Sequence, residues 1–229
     1  MVPATAPVAQ VLVYDEPATT HTERAYRALL EDIVTLRLEP GEVLADDALR
    51  RRLGLGRTPI REALQRLASQ RLVVIIPRKG VVVSDVNITD LSEIYEVRVP
   101  LEGVAARLAA ERHGSRELPA DVYAYLDAVD QASDFLALLA LDYRLHRAVH
   151  VLALNSYLRS TLDWYLALAS RLVIAVSRRL PRPPAEELAA TMNDFREQFA
   201  AISRGDGAAA EDLACRHARF SEQFVRRAV

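Results

Sequence analysis

The sequence predicts a mostly α-helical protein, with an N-terminal winged helix-turn-helix followed by a C-terminal all-helical antiparallel bundle. Three observations predict this fold class: short helical segments before residue 73, two β-branched runs within residues 73–83, and helical periodicity without further strand patterns after residue 89. The expected parts are a poorly ordered leader (residues 1–18), the winged helix-turn-helix domain (19–84) and the helical domain (85–229).

The first helix is expected between residues 19 and 38, where apolar residues recur at helical spacing. Thr22 is its expected N-cap. The Glu-Pro-Gly sequence at residues 39–41 should end it, because a proline disfavours helix at the preceding residue and a glycine permits a turn. Residues 42–44 should then be extended.

The second helix is short and should begin with Asp46 or Asp47 as N-cap. Its inner face is predicted to contain Ala48, Leu49 and Leu53. Gly54 should end it, since glycine readily adopts the left-handed conformation found after helices.

The third helix has a clear division into two faces. Gly56 or Thr58 is the expected cap, and Pro59 falls in the first turn, where a missing N–H costs nothing. The buried stripe is predicted to be Ile60, Ala63, Leu64 and Leu67. The opposite face carries Arg57, Arg61, Gln65 and Arg66, so this helix exposes several cations.

Two β-branched runs follow, Val73–Ile76 and residues 81–83, joined by the sequence Pro-Arg-Lys-Gly. This pattern predicts a hairpin with a basic tip. Helix, helix, turn, helix and hairpin is the order of a winged helix-turn-helix. Beyond it, breaks near residues 114, 155, 182 and 206 indicate about six helices, and Pro100 is expected to kink the first of them.

Charge is unevenly distributed along the chain. The formal net charge is −2, but residues 48–82 contain nine basic residues and one acid. That segment therefore carries +8, and the remainder carries −10. A basic element on an acidic body favours local binding of duplex DNA, whose phosphates release counterions when they are neutralised.

Arg57 and Arg61 are four residues apart and share a helix face. Together with Thr58 they are predicted to face base edges in the major groove, where an arginine can pair bidentately with guanine. A second set should meet flanking phosphates or the minor groove: Arg50, Arg51, Arg78, Lys79 and Gly80. Solvated surface arginines are the alternative interpretation of both sets.

Composition argues against several other classes. The single cysteine, Cys215, excludes intramolecular disulfides and multi-cysteine zinc modules and fits a reducing cytoplasm. Neither a secretory signal nor a membrane span is expected. No nucleophile elbow, phosphate loop or glycine-rich fingerprint occurs, so we predict no catalytic residues and no enzyme.

The segment LGLGRTPIREALQRLASQRLV and its Pro-Arg-Lys-Gly wing resemble the GntR family of bacterial transcription regulators. YEVRVPLEGVAARLAAER, LDYRLHRAVHVLALN and AISRGDGAAAEDLACRHARF are similar to its FCD-type, FadR-like subfamily, so the resemblance covers nearly all of residues 20–225. Gly56 stands where the family usually has a serine or threonine, and Arg71 stands where the family usually has a glycine. The resemblance implies a cytoplasmic homodimer, a repressor whose binding to a pseudo-palindromic operator responds to a small-molecule effector.

Asp142 and His146 lie four residues apart, so a helix would place them on one face, as either a surface ion pair or part of a metal site. The resemblance implies a site of one aspartate and three histidines, in which Asp142, His146 and His217 match three positions. Phe195 occupies the fourth position and cannot bind a metal.

Three outcomes are therefore compatible with the sequence. A divalent ion such as zinc, nickel or manganese is held by three protein ligands plus water or effector, or it recruits Asp194 or His150, or no metal binds. By the same resemblance, Arg98 faces an effector cavity and pairs with a carboxylate of the ligand. A surface ion pair between Arg98 and Glu102 is the alternative for this arginine.

Two other functions stay open. One is a metal-dependent hydrolase in which Asp142, His146 and His217 hold an ion that activates water. The other is a non-specific architectural DNA protein. The acidic body disfavours the latter, because it would repel DNA everywhere except at the basic segment.

Overall fold

The computed structural model describes residues 17–87, 90–114, 116–132, 134–181 and 185–227. They form two compact units, one within residues 14–87 and one within residues 88–229, which we call the N-terminal unit and the helical unit. The leader predicted for residues 1–18 lies outside the described residues except for Pro17 and Ala18.

The N-terminal unit has the predicted order of helices and strands: α1 (His21–Val34), β1 (Val43–Leu44), α2 (Asp46–Leu53), α3 (Arg57–Ser69), β2 (Val73–Ile76) and β3 (Gly80–Val83). Its antiparallel sheet has the strand order β1-β3-β2. Val82 pairs with Val43 on one side and with Val74 on the other. Residues 42–44 were expected only to be extended. They contain β1, which adds a third strand to the predicted two-stranded wing.

Helix α1 ends at Val34, so the prediction that it would continue to residues 39–41 was wrong. Leu36 adopts a left-handed φ of 56°, and the N–H of Leu38 donates to the carbonyl of Asp32 at 3.0 Å. Leu36 and Leu38 are both buried. Their apolar side chains thus pack from a turn, although their spacing continues the helical pattern.

Two predicted N-caps were also wrong. Thr20, not Thr22, caps α1, and its hydroxyl accepts the N–H of Glu23 at 3.1 Å. Thr22 lies inside the helix and donates to Glu62 of α3 at 2.6 Å. Ala45 precedes α2 without a side-chain cap, so the two aspartates expected there as caps lie instead in its first turn.

Helix α3 follows its prediction more closely. Gly56 is the N-cap, and the helix buries the expected stripe of Ile60, Ala63, Leu64 and Leu67. This stripe packs against α1, which contributes Leu29 and Ile33 to the same core. In α2, Leu49 is buried but Ala48 is exposed, contrary to expectation, and Gly54 ends the helix with a φ of 63°. The opposite face of α3 is exposed to solvent.

Six helices are present in the described part of the helical unit: α4 (Asp90–His113), α5 (Ala120–Val129), α6 (Phe135–Leu152), α7 (Ser156–Ser177), α8 (Ala185–Arg204) and α9 (Gly207–Arg227). Helix α4 includes Pro100 and packs against α6, α7, α8 and α9. It approaches α9 closely at Gly103, where an added Cβ would lie 2.6 Å from Sγ of Cys215. Among the described residues, no helix is both long and apolar enough to cross a membrane.

Candidate functional site

Helix α3 presents a basic surface at its N-terminal end. Arg57 is its first residue, and Arg57, Thr58 and Arg61 are all exposed. The side chains of Arg57 and Arg61 retain 55% and 61% of their accessible surface, so neither guanidinium is buried in the protein. The start of a helix also carries partial positive charge, which adds to the attraction for phosphate.

The first turn of α2 supplies acidic partners that the sequence analysis did not anticipate. Nε of Arg61 donates to Oδ2 of Asp46 at 3.1 Å. Asp47 Oδ1 lies 3.7 Å from Arg57 Nη2 and 3.3 Å from Nη1 of Arg50. Exposed ion pairs of this kind contribute little free energy. The arginines can therefore exchange these carboxylates for other anions at little cost.

The tip of the hairpin is exposed at Arg78, Lys79 and Gly80, as is Arg51 on α2. The N–H of Lys79 donates to the carbonyl of Ile76 at 3.1 Å, which closes the turn. Positive φ values of 64° at Arg78 and 100° at Gly80 complete it. The tip thus holds two adjacent cations on a short, well-defined loop.

Two other arginines of the basic segment donate hydrogen bonds to acidic residues of α1. Arg52 donates to Asp32 at 2.6 Å. Arg66 donates to Glu23 at 2.8 Å and lies over the ring of Tyr26, 3.6 Å from its centroid. Their side chains are therefore directed to α1 and are less free to meet another molecule.

The helical unit contains a buried polar cluster on α4, α6 and α9. Arg98 and Glu102 are each 2% exposed, so the ion pair that the sequence analysis considered at the surface lies in the interior. Nε of Arg98 donates to Oε1 of Glu102 at 3.0 Å. Although burial would raise the pKa of Glu102, His146, His150 and Arg98 hold it well below its usual value. Glu102 is therefore a carboxylate in the folded protein.

His146 lies between this pair and the other predicted ligands. Arg98 Nη2 is 3.1 Å from His146 Nε2, and because an arginine can only donate, this ring nitrogen accepts. The proton is then on Nδ1, 3.3 Å from Oε2 of Glu102. Burial lowers the pKa of His146, against the opposite effects of Glu102 and Asp142.

The three residues predicted as metal ligands meet in this cluster. Nε2 of His217 lies 3.0 Å from Asp142 Oδ1, and Nε2 of His146 lies 3.9 Å from the same oxygen. One ligand atom from each residue falls within 4.8 Å of the others. Nδ1 of His217 is buried without a hydrogen-bond partner among the described residues, and Oδ2 of Asp194 lies 4.0 Å away. The donor set therefore fits a divalent ion with three protein ligands.

Phe195 lies beside these ligands. Its ring centroid is 5.0 Å from that of His146 and 4.4 Å from that of His217. An apolar ring thus covers the side of the cluster where the resemblance implies a fourth ligand.

The cluster extends to residues that the sequence analysis considered only in part. His150 faces Glu102 Oε2 through Nε2 at 3.0 Å and Asp163 Oδ1 through Nδ1 at 3.2 Å. Burial would lower the pKa of His150, but the two carboxylates raise it. One turn of α6 separates His150 from His146, and this spacing was visible in the sequence. Asp163 on α7 gave no signal there.

A cavity in the helical unit lies beside the cluster. Its empty volume is about 470 Å³, including the part open to solvent. The polar residues that line it are Tyr95, Arg98, Asp142, Ser170, Glu187 and Ser221. The walls are mostly apolar, with side chains such as Phe135, Leu139, Leu166, Val173 and Phe224. A concave apolar pocket with a few convergent polar groups is typical of small-molecule sites.

Comparisons with known proteins agree with this architecture. The profile described as "Bacterial regulatory proteins, gntR family" matches residues 21–83, and that of the FCD domain matches residues 93–220. An uncharacterized HTH-type transcriptional regulator of Agrobacterium vitis, in the TAR-I ttuE-ttuC' intergenic region, is 44% identical over 86 residues, 37% of this chain and 50% of that protein. The matched segment thus spans about half the length of that relative.

Other relatives match over nearly the full length. The HTH-type transcriptional repressor RspR of Escherichia coli (strain K12) is 26% identical over 215 residues, 92% of this chain and 91% of RspR. The solved structure of E. coli McbR/YncC has a similar fold, with a TM-score of 0.79 at 21% identity, covering 92% of this chain and 99% of that one. These relatives are regulators, not enzymes, and give the hydrolase alternative no support. The chain belongs to the gntR family of bacterial regulatory proteins, in the group that carries an FCD domain.

Proposed function

We propose that this protein is a ligand-responsive transcription regulator, a repressor that binds a pseudo-palindromic operator as a homodimer in the cytoplasm. The observation that carries the proposal is the exposed pair Arg57 and Arg61 at the start of α3. In a two-fold dimer, each α3 enters one of two major-groove half-sites, about one helical turn of DNA apart.

The exposed residues of the N-terminal unit fall into two groups, one proposed to contact bases and one proposed to contact the DNA backbone. Arg57, Thr58 and Arg61 read base edges, because they lie on the exposed face of α3 near its start. A second group of exposed residues meets the sugar-phosphate backbone: Arg50, Arg51, Arg78, Lys79 and Gly80. Gly56 has no hydroxyl for a phosphate contact, so affinity depends more heavily on the arginines.

The helical unit is proposed to bind the effector in the cavity beside Arg98. The proposed effector is a small carboxylate with an apolar body, which would pair with the guanidinium of Arg98 while the mainly apolar walls bury the rest of the ligand. The lining acids Asp142 and Glu187 would disfavour a second negative charge on this ligand. The effector changes DNA binding through its different affinities for two arrangements of the dimer, so it must favour the arrangement that releases the operator.

We also propose that the cluster around His146 binds a divalent ion of the zinc, nickel or manganese class. The set implied by the resemblance is Asp142, His146 and His217, and Glu102 and His150 flank it. When bound, the ion supplies a Lewis-acid centre beside the cavity. In the structure, Arg98 occupies the Nε2 lone pair of His146, so coordination through that atom requires the guanidinium to move.

The experiment that tests the regulatory role selects bound DNA from a random pool and footprints the protein on the selected duplex. A panel of aliphatic and aromatic carboxylates is then titrated, and thermal shifts identify those that bind the protein. We expect two protected half-sites, and loss of protection with at least one binding compound. Equal affinity for random duplexes, or a footprint unchanged by every compound that binds, would contradict the proposal.

Removing one cation from the hairpin tip is expected to weaken DNA binding without changing sequence preference. Because Lys79 is proposed to contact phosphate, Lys79→Ala should reduce the slope of log affinity against log salt concentration by about 1. Binding to selected and random duplexes, measured across a salt series by fluorescence anisotropy, should fall by the same factor. A loss confined to the selected duplex would assign Lys79 to base reading instead.

Filling the cavity is expected to uncouple the effector from DNA. Ala169 lies on α7 and lines the cavity, so Ala169→Leu should occupy space that the effector needs. DNA affinity should stay within a factor of two or so, whereas the effector concentration needed for release should rise by about tenfold or more, the equivalent of at least 1.4 kcal/mol. Ala167→Leu is the control, since Ala167 is a buried alanine of the same helix that is not among the cavity-lining residues. An equal response in both variants would place the effector elsewhere.

A further inference from the structure

His150 lies between two carboxylates in the interior of the helical unit. Nε2 is 3.0 Å from Oε2 of Glu102, and Nδ1 is 3.2 Å from Oδ1 of Asp163. A neutral imidazole carries one N–H and can donate to only one of these oxygens. Its other nitrogen would then direct a lone pair at a carboxylate. A further positive group, either a proton or a metal ion, is therefore needed on this axis.

The surrounding atoms suit a metal ion. Nδ1 of His146 lies 3.3 Å from the same Oε2 of Glu102, and the three residues offer ligand atoms that are all within 4.8 Å of one another. Nitrogen and oxygen ligands around a tetrahedral zinc ion lie about 3.4 Å apart. The second oxygen of Glu102 is held by Nε of Arg98 at 3.0 Å, which directs Oε2 towards the histidines.

Asp163 completes the environment of His150. Metal-binding histidines usually donate their other N–H to a carboxylate, which fixes the tautomer and the ring orientation. Asp163 is placed to accept from Nδ1, and Arg147 Nη1 holds its other oxygen at 3.2 Å. With the proton on Nδ1, the Nε2 lone pair of His150 points to Glu102, where an ion would be bound.

We propose that a divalent transition-metal ion binds at Oε2 of Glu102, Nδ1 of His146 and Nε2 of His150. The family resemblance implies a different position, at Asp142, His146 and His217. The ring of Phe195 packs on two of those ligands, His146 and His217. Coordination through Nδ1 would require the proton of His146 to be on Nε2, which lies 3.9 Å from Oδ1 of Asp142. The hydrogen bond from Nη2 of Arg98 to Nε2 of His146 would then be lost, whereas the one from Nε of Arg98 to Oε1 of Glu102 would remain.

The inference rests on the proposed metal binding and not on the DNA-binding role, because the two involve separate units and separate measurements. The test titrates the full chain with zinc alone, without effector or DNA, using a competing chelator to obtain affinities and elemental analysis to obtain stoichiometry. His150→Gln and His217→Gln remove one histidine from each candidate set. We expect the loss of zinc affinity in His150→Gln to exceed that in His217→Gln by at least about tenfold.

A second pair of variants leaves both sets of three ligands, Glu102, His146 and His150 and Asp142, His146 and His217, in place. Asp163→Asn and Asp194→Asn each alter a partly exposed carboxylate that is paired with an arginine and faces a histidine of one set. We expect Asp163→Asn to weaken zinc binding by about 10- to 100-fold and Asp194→Asn to leave it nearly unchanged. Circular dichroism melts establish that each variant is folded. Equal or larger losses in His217→Gln and Asp194→Asn would overturn the proposal, as would a wild-type chain that binds no zinc.

Discussion

Arg57→Ala and Arg61→Ala are each expected to weaken binding to a selected operator by about 1–3 kcal/mol, which is about 5- to 150-fold. Both guanidiniums project from the exposed face of α3 near its start, and each forms an ion pair with a surface carboxylate in the first turn of α2. A bidentate pair with guanine would replace those weak contacts. Fluorescence anisotropy on selected and random duplexes at one salt concentration measures the effect.

Arg52→Ala is the matched control for these two variants. Arg52 is also a partly exposed arginine of the basic segment, but it donates to Asp32 at 2.6 Å and is directed to α1. We expect its loss to change operator affinity by less than either variant of α3. On random duplexes the α3 variants should lose far less than on the operator. Equal losses of affinity for both duplexes would show that Arg57 and Arg61 contact phosphates and do not read bases.

Most of the N-terminal unit could be predicted from its sequence because its signals are local. The stripe of Ile60, Ala63, Leu64 and Leu67 specifies both the existence of α3 and the face that carries its arginines. The errors arose where the decisive contact is not local. Leu36 continues a helical pattern but lies in a turn, and Val43 becomes a strand residue by pairing with Val82, 39 positions along the chain.

The polar cluster of the helical unit was only partly predictable for the same reason. The spacing of Asp142 and His146 places them on one helix face, whereas His217 could be assigned to the same site only through the family resemblance. Neither Glu102 nor Asp163 carried a signal for this site, because their contacts with His150 join α4, α6 and α7. The i,i+4 spacing of an arginine and a glutamate usually indicates an exposed ion pair, but here the pair is buried. Arg98 and Glu102 have the spacing of a surface ion pair but are nearly inaccessible.

Arg98→Met is expected to destabilise the helical unit by about 3–5 kcal/mol, because it leaves Glu102 buried without its cationic partner. Replacing both residues, in Arg98→Met/Glu102→Met, should recover much of this loss, since an apolar pair of similar volume needs no compensating charge. Trp164 is the single tryptophan of the chain and lies on α7, so its fluorescence in a urea titration reports this unit. The titration is run with chelator so that metal binding does not contribute.

Arg107→Ala is the appropriate comparison, because Arg107 and Glu111 form an i,i+4 pair on the same helix α4. This pair is exposed, as is a second pair between Arg107 Nε and Glu211 of α9 at 3.1 Å. Solvent already screens and hydrates these charges, so their loss should hardly change the urea midpoint. The main difference between the two arginines is burial, since each pairs with a glutamate four residues along the same helix. If Arg98→Met shifted the midpoint no more than Arg107→Ala does, Glu102 would not depend on Arg98, and the polar cluster would need another source of positive charge. A double variant less stable than Arg98→Met would mean that Glu102 stabilises the fold through its histidine partners rather than through the arginine.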